Sequence, residues 1–247
     1  MKIAVAGKGG AGKTTVSGTI ARELARRGHT VLALDADTNP MLGISLGVGP
    51  EETYRLLAVR QGLDDGTVEH QESVEALMEA FGTDAPDGVR LVVALREAVA
   101  EASCSCCGVN PPQLLRELEA KGRTIVCDLE AGIGAIVKRG QVDLVLVVAE
   151  PSVKSIDVAR RAAGTASGAD GDGPEVIVIA NRVRDEADLE AIEAALGDYE
   201  IVVVPEDPAI MQADREGRAP IDADPDSPAV KVLLGLAERL GREPVPA

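Results

Sequence analysis

Two stretches of this 247-residue chain hold residues whose types and spacing can do chemistry. The first is Gly7-Lys-Gly-Gly-Ala-Gly-Lys-Thr14, in which Gly7, Gly12, Lys13 and Thr14 stand at the fixed places of a phosphate-binding loop, G-x-x-x-x-G-K-[ST]. Glycines at this spacing let the backbone curl so that its N–H groups face phosphate oxygens, and a helix beginning at the loop adds a partial positive charge. Gly9, Gly10, Ala11, Gly12, Lys13, Thr14 and Thr15 are therefore the expected nucleotide contacts. Lys13 would reach the β- and γ-phosphates, and the Thr14 hydroxyl would ligate Mg²⁺. A second lysine, Lys8, follows the first glycine. It is either a solvated loop charge or a group that contacts nucleotide across a dimer interface.

The second stretch is Ala102-Ser-Cys-Ser-Cys-Cys-Gly-Val-Asn110. Thiolates are soft ligands for Zn²⁺, other transition metals or iron–sulfur clusters. The pair Cys104 and Cys106 cannot complete a tetrahedral site alone. Two such pairs, one from each subunit of a symmetric dimer, supply four sulfurs, so the loop predicts a metal shared across a two-fold axis. Cys107 is a third thiol that would replace a ligand or enlarge the site. Cys127 sits inside an apolar run and reads as a small buried hydrophobe.

These groups need elements to hold them. Met1 to Ala6 reads as a buried strand before the loop. Thr14 to Arg27 reads as an amphipathic helix after it, with Val16, Ile20 and Leu24 four residues apart and Gly28 as its stop. Thr30 to Leu34 is a second buried strand, ended by Asp35-Ala-Asp-Thr-Asn-Pro40. Acidic residues at a strand end of an α/β sheet line the ligand crevice and point to metal and water control, although Asp, Asn and Pro also form ordinary turns. Arg123 to Asp128 is a further strand, whose terminal Asp128 would hold a water of the Mg²⁺ shell. Gly132, in Leu129-Glu-Ala-Gly132, would offer its N–H to the γ-phosphate.

Elsewhere, Val89–Ala94, Val142–Ala149, Glu175–Ala180 and Ile201–Val204 read as strands. Helices are predicted over Glu51–Arg60, Gln71–Phe81, Pro111 or Pro112 to Gly122, Ser155–Ala166, Asp185–Leu196, Ala209–Arg215 and Ser227–Leu240, with a turn at Gly62–Gly66. The region from 41 to 87 is expected on the outside of the sheet. Alternating strands and helices without an internal repeat or linker predict one α/β domain over 1–247, a doubly wound, mostly parallel sheet with helices on both faces.

Composition narrows the function. Acidic residues outnumber basic ones by 41 to 25, a net charge of −16, and no Lys/Arg cluster forms a basic patch, which argues against nucleic acid and anionic membrane as partners. No apolar run reaches membrane-spanning length. The tail Gly241–Ala247 has one Arg and two prolines and lacks the features of a basic amphipathic anchor. The N-terminal residues read as the nucleotide strand and not as a signal peptide, and a phosphate loop with GTP or ATP chemistry implies the cytoplasm, where the cysteines are expected to be reduced. With 1% aromatic residues, the core must be built from Val, Leu, Ile and Ala.

Lys8-Gly-Gly-Ala-Gly-Lys-Thr-Thr15 resembles the deviant Walker A motif of the MinD, ParA and nitrogenase iron-protein superfamily. That resemblance implies an ATPase in which Lys8 reaches the nucleotide of the partner subunit. It also implies that Asp37 positions the attacking water and touches the Mg²⁺ shell, supported by Asp35. The C-x-C pair, Asp128-Leu-Glu-Ala-Gly-Ile133 and Val147-Val-Ala-Glu-Pro-Ser152 resemble the CooC family, ATPases that assist nickel insertion into carbon monoxide dehydrogenase. The likeness implies a homodimer closed by ATP, Zn²⁺ or Ni²⁺ at the facing Cys104 and Cys106 pairs, and a client metalloenzyme. It further implies adenine recognition by Asn181 and by Pro205-Glu-Asp207. Two other readings stay open: an electron-transfer protein with an iron–sulfur cluster, like the nitrogenase iron protein, and a MinD/ParA-type positioning ATPase.

Overall fold

The computed structural model describes residues 1–37, 39–69, 74–93, 115, 122–130, 142–168 and 173–242. Cys104, Cys106, Cys107 and Gly132 lie outside these residues, as does most of the helix predicted before Gly122. Among the described residues eight strands form one sheet: β1 (Lys2–Gly7), β2 (Thr30–Ala36), β3 (Thr83–Asp84), β4 (Arg90–Val93), β5 (Arg123–Leu129), β6 (Leu144–Ala149), β7 (Glu175–Val183) and β8 (Glu200–Pro205). Their order is β3-β4-β2-β5-β1-β6-β7-β8. Every neighbouring pair is parallel except the short β3 against β4.

Among the described residues the helices with both ends described are α1 (Lys13–Arg26), α2 (Leu42–Leu46), α3 (Pro50–Asp65), α4 (Val74–Phe81), α5 (Val153–Ser167), α6 (Glu186–Leu196), α7 (Pro208–Arg215), α8 (Pro220–Ala223) and α9 (Pro228–Gly241). They cover both faces, and the two-residue side-chain period of the strands divides the core accordingly. Ile3 and Val5 of β1 pack with Val16, Ile20 and Leu24 of α1 and Leu233 and Leu236 of α9. Ala4 and Ala6, one residue out of phase, pack with Ala159, Ala163 and Ala166 of α5 and Ile192 of α6. Small residues on β1 and α5 allow that helix to lie close to the sheet. Cys127 belongs to this second core and is fully buried, as expected.

The sheet changes winding direction between β1 and β6. From β1 the chain returns through α1 toward β2, and from β6 it returns through α5 toward β7, on the other side and the opposite face. The loops that follow β1 and β6 therefore splay apart and leave a crevice at the carboxyl ends of the strands, the usual ligand position in such a sheet.

Four expectations need correction. Residues 41 to 87 are not all outside the sheet: Thr83–Asp84 joins it as the edge strand β3, and α2, which has too few residues for a helical period to show, buries Leu42 and Leu46 completely in the α1-side core. The turn placed at Gly62–Gly66 is confined to Gly66 (φ +77°), because α3 runs through Gly62 to Asp65. A Cβ at Gly62 would lie 2.5 Å from Val68 Cγ2, so glycine there serves a close contact rather than a turn. Lastly, β2 continues through Asp35 to Ala36 and β7 through Asn181 to Val183, since strand pairing carries polar residues that a hydrophobicity pattern excludes. Among the described residues no helix is long and apolar enough to cross a membrane.

Gly18 marks where α1 meets α2. A Cβ there would lie 2.7 Å from Ser45 Cβ and 2.8 Å from the Ser45 carbonyl carbon and oxygen. Alanine gains about 1 kcal/mol of helix propensity, while overpacking against backbone costs about 1–3 kcal/mol. Gly18→Ala is therefore expected to lower the thermal midpoint. A rise in a calorimetric scan would mean that propensity outweighs the contact.

Candidate nucleotide-binding site

The loop between β1 and α1 takes the shape that its glycines predict. Gly7, Gly10 and Gly12 have φ of +142°, +81° and +101°, a region that residues with a Cβ rarely enter. At Gly7 and Gly12 space is also lacking: a Cβ would lie 2.3 Å from Val148 O and 2.3 Å from Asn181 Nδ2, respectively. The Ala11 N–H closes the loop on Lys8 O at 3.2 Å. Lys13 begins α1, and its side chain is buried, with Nζ donating to Lys8 O at 3.4 Å. An ammonium folded back under a ring of N–H groups presents positive charge to an anion seated above it.

Asp35 and Asp128 are register partners on adjacent strands β2 and β5, and both are buried. Asp128 Oδ1 accepts from the Ser17 hydroxyl at 3.2 Å, and the Thr14 hydroxyl faces the same carboxylate. Asp128 Oδ2 is buried with no hydrogen-bond partner among the described residues. Asp35 Oδ1 accepts the Asp37 N–H at 3.2 Å, and Oδ2 accepts the Leu42 N–H at 2.8 Å. Asp35 thus fixes the bend after β2 and presents Asp37 to the crevice. Burial, with the neighbouring Asp128 charge next, pushes the Asp35 carboxyl well above the usual carboxylate range. Asp128 is also raised, chiefly by burial, but less far, because the Thr14 and Ser17 hydroxyls and the Lys13 charge favour its ionised form.

Two crowded carboxylates, an orphaned buried carboxylate oxygen and a threonine hydroxyl form an all-oxygen donor set of the kind that a hard divalent cation takes, and the residues fit Mg²⁺. Ser17 was not read from the sequence. Its signal lies in its spacing, one turn of α1 beyond Thr14 and on the same face.

The crevice continues from this acidic corner as a pocket of about 310 Å³. Gly9, Gly10, Gly12, Lys13, Thr14 and Thr15 line one end with Asp37, and Asn181, Pro205 and Asp207 line the other. The expected nucleotide residues therefore gather around one cavity, except the buried loop residue Ala11, the buried Asp128 and the loop lysine Lys8, which do not line it. Asn181 does not simply face the cavity, because its Nδ2 donates to Ala11 O at 2.7 Å and ties the loop to the end of β7. The β7–β8 register slips between Asn181 and Val183, and Arg182 takes φ +60° at that bulge. Asp207 Oδ1 accepts the Ala209 N–H at 2.9 Å and Oδ2 accepts the Ala229 N–H at 3.1 Å, joining the starts of α7 and α9. Burial opposes its charge, yet the Ala229 and Ala209 N–H groups and the Ser227 hydroxyl hold its pKa below the usual value. Asp207 thus braces the cavity wall. Arg182, Ile210, Met211, Asp214 and Leu233 also line the cavity and were not anticipated, since their grouping depends on how β8, α7 and α9 meet.

The charge crowding has a measurable sign. A carboxyl whose folded pKa is raised supports stability fully below its unfolded pKa and loses that support as pH climbs through the folded value. In nucleotide-free, Mg²⁺-free protein, Asp35→Asn should therefore gain thermal stability relative to wild type as pH is raised from about 5 to about 9, where Asp35 ionises at about 8. A difference between the two melting curves that does not change with pH would contradict the crowding.

Comparison with known proteins agrees with this geometry. The family described as "CobQ/CobB/MinD/ParA nucleotide binding domain" matches residues 2–221. The carbon monoxide dehydrogenase accessory protein CooC of Rhodospirillum rubrum is 31% identical over 266 residues, 98% of each chain. An uncharacterized ATP-binding protein of Methanocaldococcus jannaschii is 31% identical over 239 residues, 91% of this chain and 92% of that protein. The solved structure of the MinD cell division protein from Aquifex aeolicus superposes with a TM-score of 0.68 at 26% identity, covering 99% of this chain and 98% of that one. With its phosphate loop, buried carboxylates and parallel sheet all in place, the chain belongs to the CobQ/CobB/MinD/ParA nucleotide-binding family and is one of its ATPases.

Proposed function

We propose that this ATPase is a dimerising maturation factor that handles metal for a metalloenzyme, with nickel insertion into a carbon monoxide dehydrogenase-like client as its specific task. The observation that carries this reading is the C-x-C pair, Cys104 and Cys106, in a chain that matches a carbon monoxide dehydrogenase accessory protein along 98% of its length.

In this reading the backbone N–H groups of Gly9 to Thr15 and the Lys13 ammonium hold the phosphates of ATP. Thr14, Asp37 and Asp128 would hold Mg²⁺, the latter two through water, and the ion would neutralise charge on the β- and γ-phosphates. Asp37 orients the attacking water, and Lys8 reaches the partner's nucleotide. Asn181 and Pro205 contact the adenine, and Asp207 keeps that wall in place. Such catalysis consists of positioning and charge neutralisation, with little covalent work for the protein. The cargo, Zn²⁺ or Ni²⁺, would sit between the cysteine pairs of two subunits, and hydrolysis would reopen the dimer.

The likeness to MinD supports a second reading, a positioning ATPase that cycles on a membrane or on DNA. The net charge of −16 argues against it. Sedimentation with anionic liposomes or with DNA, in the presence of ATP, separates the two. A redox protein with an iron–sulfur cluster would instead show iron and acid-labile sulfide.

Replacing Lys8 by Ala should leave ATP binding to the monomer intact, abolish ATP-driven dimerisation, and slow turnover about a thousandfold or more, the scale of a cation supplied in trans. Undiminished hydrolysis would remove Lys8 from the mechanism. Metal content measured after anaerobic purification should be about one Zn²⁺ or Ni²⁺ per dimer, two pairs of thiolates completing one tetrahedral site. It should vanish in the Cys104→Ser, Cys106→Ser double variant. Metal retained by that variant would place the cargo site elsewhere.

A further inference from the structure

The loop lysine Lys8 has a partner within its own chain. Its Nζ lies 3.4 Å from Glu150 Oε1, with Lys8 about a third exposed and Glu150 less so. Glu150 follows β6 on the far bank of the crevice, and its second oxygen, Oε2, accepts from Arg182 Nη1 at 3.2 Å. Arg182 is the residue of positive φ at the β7 bulge and lines the cavity. One carboxylate thus joins the phosphate loop to the opposite wall, across the point where the sheet changes winding.

Glu150 is itself well anchored. Its backbone N–H donates to the buried Ser155 hydroxyl at 3.1 Å, its carbonyl accepts the Ser152 N–H at 2.7 Å, and its Oε1 also accepts from the Ser152 hydroxyl at 3.4 Å. Three donors from three segments converge on a carboxylate whose backbone is held at both ends.

We propose that Glu150 is a positioning residue that retains Lys8 within its own subunit, so that Lys8 must exchange the Glu150 carboxylate for the partner's phosphate when the dimer closes. This inference rests on the reading of Lys8 as a group that acts in trans. The exchange is favourable because a nucleotide phosphate carries more charge than a carboxylate and the closed interface excludes water. After it, Glu150 keeps Arg182, so the wall of the cavity stays fixed while the loop side is released. The device raises the ATP and protein concentrations needed for closure and prevents an idle lysine from folding onto its own nucleotide.

The test is the monomer–dimer equilibrium of the full chain, followed by sedimentation velocity with Mg²⁺ and a non-hydrolysable ATP analogue. Wild type, Glu150→Gln, Glu150→Ala and Lys8→Ala are compared, with analogue affinity of the monomer measured in parallel. A partly exposed ion pair is worth little, so both Glu150 variants should lower the dimer dissociation constant by only about two- to fivefold relative to wild type. A merely structural role for Glu150 would weaken or leave unchanged the dimer and would lower thermal stability instead. Dimerisation of the Glu150 variants equal to or weaker than wild type, with Lys8→Ala still monomeric, overturns the retention role and leaves the trans lysine standing. Failure of wild type itself to dimerise, or normal dimerisation of Lys8→Ala, overturns both.

Discussion

The structure depends on a close approach of backbones at the point where β1 and β6 lie side by side. Gly7 has no room for a Cβ because Val148 O of β6 would lie 2.3 Å away, and Gly12 has none because Asn181 reaches over from β7. These contacts seat the phosphate loop against the ends of two further strands instead of leaving it a free turn. The Asn181 amide completes the arrangement by donating to Ala11 O at 2.7 Å. The glycine pattern is therefore imposed twice, once by the φ values that an anion cradle needs and once by packing against β6 and β7.

Beneath that loop the sheet concentrates charge that it would otherwise reject. Asp35 and Asp128 are buried side by side, at a cost that a purely structural pair would not justify. The arrangement is tolerated because Lys13, Ser17, Thr14 and two backbone N–H groups each offset part of the charge, and because divalent cation binding would offset more. The shares are unequal. Asp35 has backbone donors alone and is the more strongly raised, which suits a group that shapes the bend before Asp37. Asp128 has the lysine and the hydroxyls, which suits a group that must stay ionised beside a cation.

The far end of the crevice is built differently. Its wall comes from the short α7 and the end of β8, each with a single buried residue, and from the start of α9, a helix that packs into the α1-side core. Asp207 holds them by capping two helices at once. A side chain expected to touch the adenine is thereby committed to the backbone, while Asn181, Pro205 and Met211 line the same cavity. Glu150 plays a comparable joining role on the outer side, between Lys8 and Arg182.

The alternation of apolar strands and amphipathic helices, and the phosphate loop between the first of each, were legible from the residues. Those signals are local: buried parallel strands are continuous apolar runs, and a G-x-x-x-x-G-K-T loop serves one geometry. Asp35, Asp37 and Asp128 could be placed at strand ends for the same reason. Tertiary structure alone decided the rest. Five residues of α2 cannot display a helical period, so the burial of Leu42 and Leu46 appears only when α1 lies over them. Nothing near Asp207 in sequence reveals that the α9 N-terminus, 22 positions later, will come to its carboxylate. Lys8 and Glu150 stand 142 residues apart, and only the order β5-β1-β6, which no local propensity encodes, brings them within 3.4 Å. Residue types and short spacings state which chemistry a chain can perform. Which charges face one another depends on long-range strand pairing, and that is settled by the burial of whole faces.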